Sequence, residues 1–249
     1  MLQVRGLSKS FGGLKAVSDV CFTSNAAHIH SIIGPNGAGK TTLFNLITGA
    51  IKPETGSVTF DSNDITGWSS PRLAKLGVVR TFQRTSIFRK LSVIENVTLA
   101  VRTRENICYS IWHSHKREQA IQDEAEEVLA TVGLKGRENE PAGQLAHGLQ
   151  RAVDIAIGLA LKPRLILMDE PLAGMSSGDR EKVASLILKL REDLGLTVVV
   201  VEHDVGMVMR LSDRITVMQQ GAVIADDVPM AIRGNEAVRS AYLKGEFAS

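Results

Sequence analysis

The densest chemistry in the chain sits at Gly34-Pro35-Asn36-Gly37-Ala38-Gly39-Lys40-Thr41, which fits the pattern GxxxxGK[ST], with Thr42 directly after it. Glycines at these spacings let the backbone curl so that several N–H groups converge on phosphate oxygens. A helix starting at the same point adds its positive N-terminal end. Lys40 suits the β- and γ-phosphates of a nucleotide, and the Thr41 hydroxyl suits Mg²⁺. A second acidic pair, Asp169-Glu170, closes the apolar run Leu165-Ile166-Leu167-Met168. Asp169 can complete a metal shell, and Glu170 can polarise a water aimed at a terminal phosphate. An acidic pair after a strand is often only a solvated loop. Downstream of a phosphate loop it points to hydrolysis.

These residues need buried strands to hold them. His28–Ile33, Leu165–Met168 and Thr197–Val201 are short, continuous apolar runs, the pattern of strands covered on both faces of a parallel sheet. Ser57-Val58-Thr59-Phe60 is a further β-prone run after Thr55-Gly56. Helical patterns lie between, at Thr42–Thr48, Glu118–Val132, Ala152–Leu161 and Ser177–Leu194. Alternation of this kind predicts an α/β layered fold in which ligands bind at the carboxyl ends of the strands. Residues 84–162 depart from it, with helical patterns and few buried-strand runs, and are expected to form a helical subdomain inserted between halves of the sheet.

Composition narrows the classes. The chain has 249 residues, 44% hydrophobic and 22% charged, which is globular rather than disordered or collagenous. Net charge is only +2, which gives no electrostatic reason to propose a nucleic-acid partner, and aromatic residues are 4%, which also weakens any base-stacking surface. Mean hydropathy is +0.04, yet no apolar run approaches the ~18–20 residues that span a bilayer. The N-terminal residues Met1–Lys9 lack the apolar core of a secretory signal. Cys21 and Cys108 stand in unrelated contexts without metal spacing, which fits plain thiols in a reducing compartment. His113 and His115 are two apart, so one helix face would not carry both as metal ligands.

Taken in order, further segments make the whole chain resemble the ATP-binding-cassette ATPases. Leu145-Ala146-His147-Gly148-Leu149-Gln150-Arg151 stands where that family has LSGGQ, Thr81-Phe82-Gln83 where it has the Q-loop, and Val201-Glu202-His203-Asp204 where it has the switch histidine. Phe11 occupies the place of the aromatic residue that stacks on adenine, and Ala173-Gly174-Met175-Ser176 that of the D-loop. The resemblance implies a P-loop NTPase core with a mostly parallel sheet, the helical insert and an N-terminal antiparallel β part, all as one cassette over residues 1–249. It implies ATP and Mg²⁺ as ligands, with Thr41, Gln83 and Asp169 around the metal and Glu170 and His203 catalytic. Two cassettes, identical or different, would pack head to tail, so that Leu145, Ala146, His147, Gly148 and Leu149 meet the nucleotide of the partner. Ala146 lacks the signature hydroxyl, Leu149 stands in place of glutamine, and Ser176 cannot supply the D-loop carboxylate.

GVVRTFQ at Gly77–Gln83, the AGM-type D-loop, Phe88–Val97 and Val238–Leu243 resemble the cassettes of branched-chain amino-acid importers. Relatives that carry urea or short amides, or that extract lipopolysaccharide, share most of these residues. An importer subunit would sit peripherally on the cytoplasmic face of the membrane, bound to separate permease subunits and, through them, to a solute-binding protein. Ile87, Phe88 and Leu91 are expected to line the groove that receives the permease. Arg102–Glu118 is expected to be a partly exposed amphipathic helix with Tyr109 and Trp112 packed. Two other classes remain open, a soluble cassette outside transport and a phosphate-loop kinase. The signature segment and His203 weigh against the kinase, which has no use for them.

Overall fold

The computed structural model describes residues 1–81, 87–107 and 115–242. Strands β1 (Leu2–Phe11), β2 (Leu14–Ser24), β4 (Thr55–Phe60) and β5 (Asn63–Asp64) form an antiparallel sheet in the order β2-β1-β4-β5. The second sheet is built from β3 (Ile29–Ile33), β6 (Val78–Thr81), β7 (Leu165–Asp169), β8 (Thr197–Val201), β9 (Arg214–Gln219) and β10 (Ala222–Asp227). Its order is β10-β9-β3-β8-β7-β6, parallel throughout except for β10 at the edge. All five residues of β3, β7 and β8 are buried, which is why these strands read as unbroken apolar runs.

The two faces of this sheet lead to different neighbours. Leu165, Leu167, Val199 and Val201 pack with the antiparallel sheet and with helix α1 (Lys40–Ile47). Ile166, Met168, Val198 and Val200 face a second core. That core is continuous with α3 (Val93–Arg104), α4 (His115–Thr131), α5 (His147–Ala160) and α6 (Ser177–Leu194). The helical segment therefore shares its core with the sheet. At Gly158 of α5 an added Cβ would lie 3.2 Å from Ile166 Cδ1, so the helix rides close over β7. Smaller helices complete the chain: α2 (Ser70–Leu76), α7 (Val205–Leu211), α8 (Pro229–Gly234) and α9 (Glu236–Ala241).

The helices start earlier than apolar periodicity indicates. Helix α4 is already helical at His115, the first described residue there and ahead of the expected Glu118, and α5 begins at His147 rather than Ala152. In α5 the first turn, His147-Gly148-Leu149-Gln150, carries a single apolar side chain, Leu149, too few to show a periodic stripe, although the backbone is already helical. In consequence His147, Gly148 and Leu149 lie inside the first turn of α5. Ile87 is buried in the helical core, whereas Phe88 is 60% exposed, so Ile87 does not line a surface groove as expected. Phe82, Gln83, Cys108, Tyr109, Trp112, His113 and Leu243 lie outside the described residues.

Candidate functional site

The phosphate loop runs from the end of β3 into α1. Its shape is fixed by contacts that only glycine permits. Gly39 has φ +97°, and a Cβ there would lie 2.3 Å from the Ala16 carbonyl oxygen of β2. At Gly34 a Cβ would lie 2.3 Å from the Met218 carbonyl oxygen of β9. The turn between β9 and β10 secures the loop from below, with Gly221 N–H donating to Ala38 O (3.0 Å) and Ser18 N–H to Gly221 O (2.8 Å). Pro35, Asn36 and Gly37 form the outer part of the loop, with Asn36 and Gly37 exposed. Gly39 is the N-cap of α1 and no side chain caps it, so the first N–H groups of α1 face the loop.

Lys40 is buried and its Nζ donates to Gly34 O (2.6 Å) and Pro35 O (3.1 Å), which holds the ammonium against the loop. Burial pushes the Lys40 pKa below its ordinary value, while Glu170 and then Asp169 draw it back. Those two carboxylates therefore lie within electrostatic reach of Lys40, as the sequence reading requires. Thr41 is exposed on the first turn of α1, with Thr42 beside it partly buried.

Asp169 ends β7 and is 3% exposed. Arg80 of β6 donates to its Oδ2 (2.9 Å) and, through its other terminal nitrogen, to Asn45 Oδ1 of α1 (2.7 Å) and to Oγ1 of Thr48 (3.2 Å), which caps the C-terminus of α1. One guanidinium thus fixes the acidic strand end relative to the helix that follows the phosphate loop. A threonine hydroxyl and a carboxylate are hard oxygen donors, the set that Mg²⁺ prefers, so these residues fit the ion. Among the described residues no group of three or more His, Cys, Asp or Glu could form a metal cluster by itself. Glu170 has φ +45°, an unusual value for a residue with a Cβ, and its N–H donates to Val201 O (2.9 Å). The tie to β8 holds the conformation that turns Glu170 away from the strand.

His203 follows β8 with its side chain 60% exposed. Phe11 is 48% exposed at the end of β1, beside exposed Leu14, with Lys9 Nζ 5.8 Å from its ring centroid. The hairpin that presents Phe11 is seated on the phosphate loop through the Ala16–Gly39 contact. An exposed ring at this position can stack on a flat base.

The signature segment lies at the start of α5. Leu145 is buried, while Ala146 and His147 are exposed and Gly148 and Leu149 partly so. Ala146 is the N-cap and offers no capping side chain. Behind it the helix is anchored: Gln150 Nε2 donates to Leu145 O (2.7 Å), Arg151 pairs with Asp154 (2.9 Å), and Arg151 also donates to Asp169 O (3.2 Å). Desolvation pushes the Arg151 pKa below its ordinary value, with Asp154, Glu202 and Asp169 opposing. Ala173 and Met175 are partly buried, and Gly174 and Ser176 are exposed. Ser176 is the N-cap of α6, its Oγ accepting from Asp179 N–H (3.2 Å) and donating to Asp179 Oδ2 (2.9 Å). The Asp179 side chain reaches the signature glycine, 3.1 Å from where a Cβ on Gly148 would stand.

No motif or spacing in the sequence assigns a role to Arg80, Arg151, Asp154 or Asp179. For Arg80 one signal was available: an arginine inside a strand that is otherwise apolar, one residue before Thr81-Phe82-Gln83. Gln83, expected near the metal, lies outside the described residues.

A phosphate-binding loop, a paired acid at the neighbouring strand end and a glycine-bearing helix start on an inserted helical segment occur here in one chain. The pattern of the family described as ABC transporter matches residues 17–173. The chain belongs to this family. The high-affinity branched-chain amino acid transport ATP-binding protein BraF of Pseudomonas aeruginosa is 38% identical over 98% of this chain and 97% of its own. The ADP conformation of MJ1267, an ATP-binding cassette of an ABC transporter, superposes with a TM-score of 0.86 at 29% identity, covering 98% of this chain and 99% of that one. A dimeric structure of MJ0796, a bacterial ABC transporter cassette, matches with a TM-score of 0.75 at 30% identity over 92% and 99% of the two chains. No helix among the described residues is long and apolar enough to cross a membrane.

Proposed function

We propose that this cassette is the ATP-hydrolysing subunit of an importer for branched-chain amino acids, working on permease subunits carried by other chains. The observation that carries the reading is the convergence of Lys40, Asp169 and Glu170 at the carboxyl ends of the strands, with Arg80 joining α1 to Asp169. Gly34–Thr42 would hold the phosphates of ATP, and Phe11 would stack on its base. Thr41 and Asp169, with Gln83, would hold Mg²⁺, which supplies positive charge to the β- and γ-phosphates. Glu170 would polarise the attacking water and His203 would hydrogen-bond the γ-phosphate. The whole of 1–249 acts as one cassette, with 84–162 as its helical subdomain.

A second cassette, placed head to tail, would bring its Leu145–Leu149 and Ala173–Ser176 to this nucleotide. The exposed, uncapped start of α5 and the dimeric cassette relative support that arrangement. Closure on ATP and release after hydrolysis then form a ligand-driven population shift that moves the permease. Phe88 and Leu99, both exposed on the helical segment, offer the apolar contact for that partner. Asn96 presents Phe88 rigidly, accepting its N–H (2.8 Å) and donating to its carbonyl (3.1 Å). The subunit would lie on the cytoplasmic face of the membrane and reach a solute-binding protein only through the permease. The identity to BraF supports the cargo class.

Glu170→Gln tests the reading. The variant is expected to bind ATP, to accumulate as an ATP-dependent dimer in size-exclusion chromatography, and to lose at least about 100-fold in turnover. Retained hydrolysis, or no ATP-dependent dimer, would overturn it. Copurification with membrane subunits, followed by stimulation of ATPase activity by leucine, isoleucine or valine but not by urea, tests the cargo.

A further inference from the structure

Glu202 is 1% exposed at the end of β8, between two segments of the site, yet the roles above leave it unused. Its Oε1 accepts the N–H of Leu172 at 2.8 Å, and its Oε2 accepts the N–H of His203 at 3.2 Å, with His203 Nδ1 3.8 Å away. Leu172 lies just beyond Glu170 on the path to Ala173–Ser176. The carboxylate therefore clasps the backbone leaving the acidic pair to the backbone carrying the switch histidine. Two further bonds fix the same junction: Glu170 N–H to Val201 O at 2.9 Å and Glu202 N–H to Ile32 O at 3.4 Å.

A carboxylate in this place is expensive to bury. Desolvation pushes its pKa up, and the two N–H bonds with His203 pull it back. An apolar side chain would fill the space without that cost but would leave both N–H groups without this acceptor. What the acid adds is a shared acceptor for two loops on neighbouring strands.

We propose that Glu202 is a positioning residue for hydrolysis, locking His203 and the Glu170–Leu172 turn into one relative placement. It does not touch the nucleotide. The inference rests on the hydrolytic reading of Glu170 and His203, and its test separates the two. Glu202→Gln keeps the volume but puts an amide N–H₂ against one of the two N–H groups, so that one clasp opens. The expected result is a fall in kcat of about 10-fold or more with KM for ATP within twofold and a small change in Tm. In a His203→Ala background the same change is expected to cost less than twofold, because the placement it secures no longer matters.

Full multiplication of the two losses would overturn the proposal, as would an unchanged kcat or a rise in KM that accompanies a large fall in Tm. If Glu202→Gln does not fold, Glu202→Asp, which draws both oxygens back by one methylene, goes through the same cycle with the same criteria. Wild-type turnover that Glu170→Gln abolishes, together with a fully additive Glu202 effect, would sink this proposal and leave the hydrolytic reading standing.

Discussion

Helices α1 and α5 both begin without a side-chain cap, but their surroundings differ. At α1, Gly39 is wedged against the Ala16 carbonyl, Lys40 is buried, and the loop before it is pinned by the β9–β10 turn. At α5, Ala146 and His147 are exposed, and the anchoring groups, Gln150, Arg151 and Asp154, lie one turn further in. By contrast α3, α6 and α7 carry the caps Ser92, Ser176 and Asp204. Uncapped N–H groups at a helix start are ready partners for an anion. One of the two starts is enclosed by its own chain. The other points outward, open to the phosphate that a second chain would supply in the proposed head-to-tail dimer. The cassette thus has one helix start enclosed with its phosphate loop and one left open at its surface.

The sharpest way to break this contrast is to add one methyl group at each start. Gly39→Ala forces a Cβ to 2.3 Å from a backbone oxygen at φ +97°, where nothing flexible can give way. It is expected to lower stability by about 2–3 kcal/mol and to abolish nucleotide binding, as measured by thermal melts and a fluorescent ATP analogue. At Gly148→Ala the new Cβ meets the Asp179 Cβ at 3.1 Å and its carboxyl group at 3.2–3.3 Å, side-chain contacts that a shift of a few tenths of an ångström relieves. Here Tm is expected to move by less than about 3 °C and ATP binding to stay within twofold. Turnover is expected to fall at least about 10-fold, because the glycine proposed to meet the partner's phosphate would be obstructed. Loss of ATP binding by Gly148→Ala would mean that the two starts are not separable.

A weaker effect should come from the clasp that keeps α5 in place. Arg104 of α3 binds Glu124 of α4 through both terminal nitrogens (2.6 and 2.7 Å) and the Ala160 carbonyl at the end of α5 (2.7 Å), while Lys162 also pairs with Glu124 (2.9 Å). Arg104, then Lys162, holds the Glu124 pKa down to about 2 from an ordinary 4.5. A carboxylate with a lowered folded pKa adds stability that is whole above its ordinary pKa and disappears as pH falls toward the folded value. Stability should therefore fall between pH 4.5 and about 2, and Glu124→Gln should flatten that part of the curve. At neutral pH the variant is expected to lose about 1–2 kcal/mol in denaturant melts, allowing for screening of partly exposed charges, with ATP binding unchanged.

What could be read from the sequence follows the same division. The phosphate loop is a contiguous run, and β3, β7 and β8 are unbroken apolar stretches, so local pattern suffices for them. Strands β1 and β2 are harder: register shifts between Val4 and Leu7 and between Leu7 and Lys9 break the alternation that would mark a half-buried strand. The ties that shape the site are harder still. Arg80 meets Asp169, and Glu202 meets Leu172, across long stretches of chain, so no spacing rule points to them. The start of α5 leaves no mark either, because helix starts are recognised by the capping side chain that Ala146 lacks.

That missing side chain permits the finest test of the comparison. Ala146→Ser restores the hydroxyl that the family signature carries at this position. In the free chain the new Oγ can accept from an N–H in the first turn of α5, which now has no side-chain acceptor. The expected gain is about 0.5–1 kcal/mol in denaturant unfolding, the ordinary worth of a serine over an alanine at an N-cap. ATP binding should not change, since α1 is untouched, and turnover is expected to rise by no more than about threefold, because in the proposed dimer the hydroxyl would add one contact beside those of the backbone N–H groups. A stability gain with unchanged ATP binding would place α5's start in solvent until a partner arrives. No gain would mean that those N–H groups are already satisfied within the chain, and the distinction between an enclosed and an open helix start would fail.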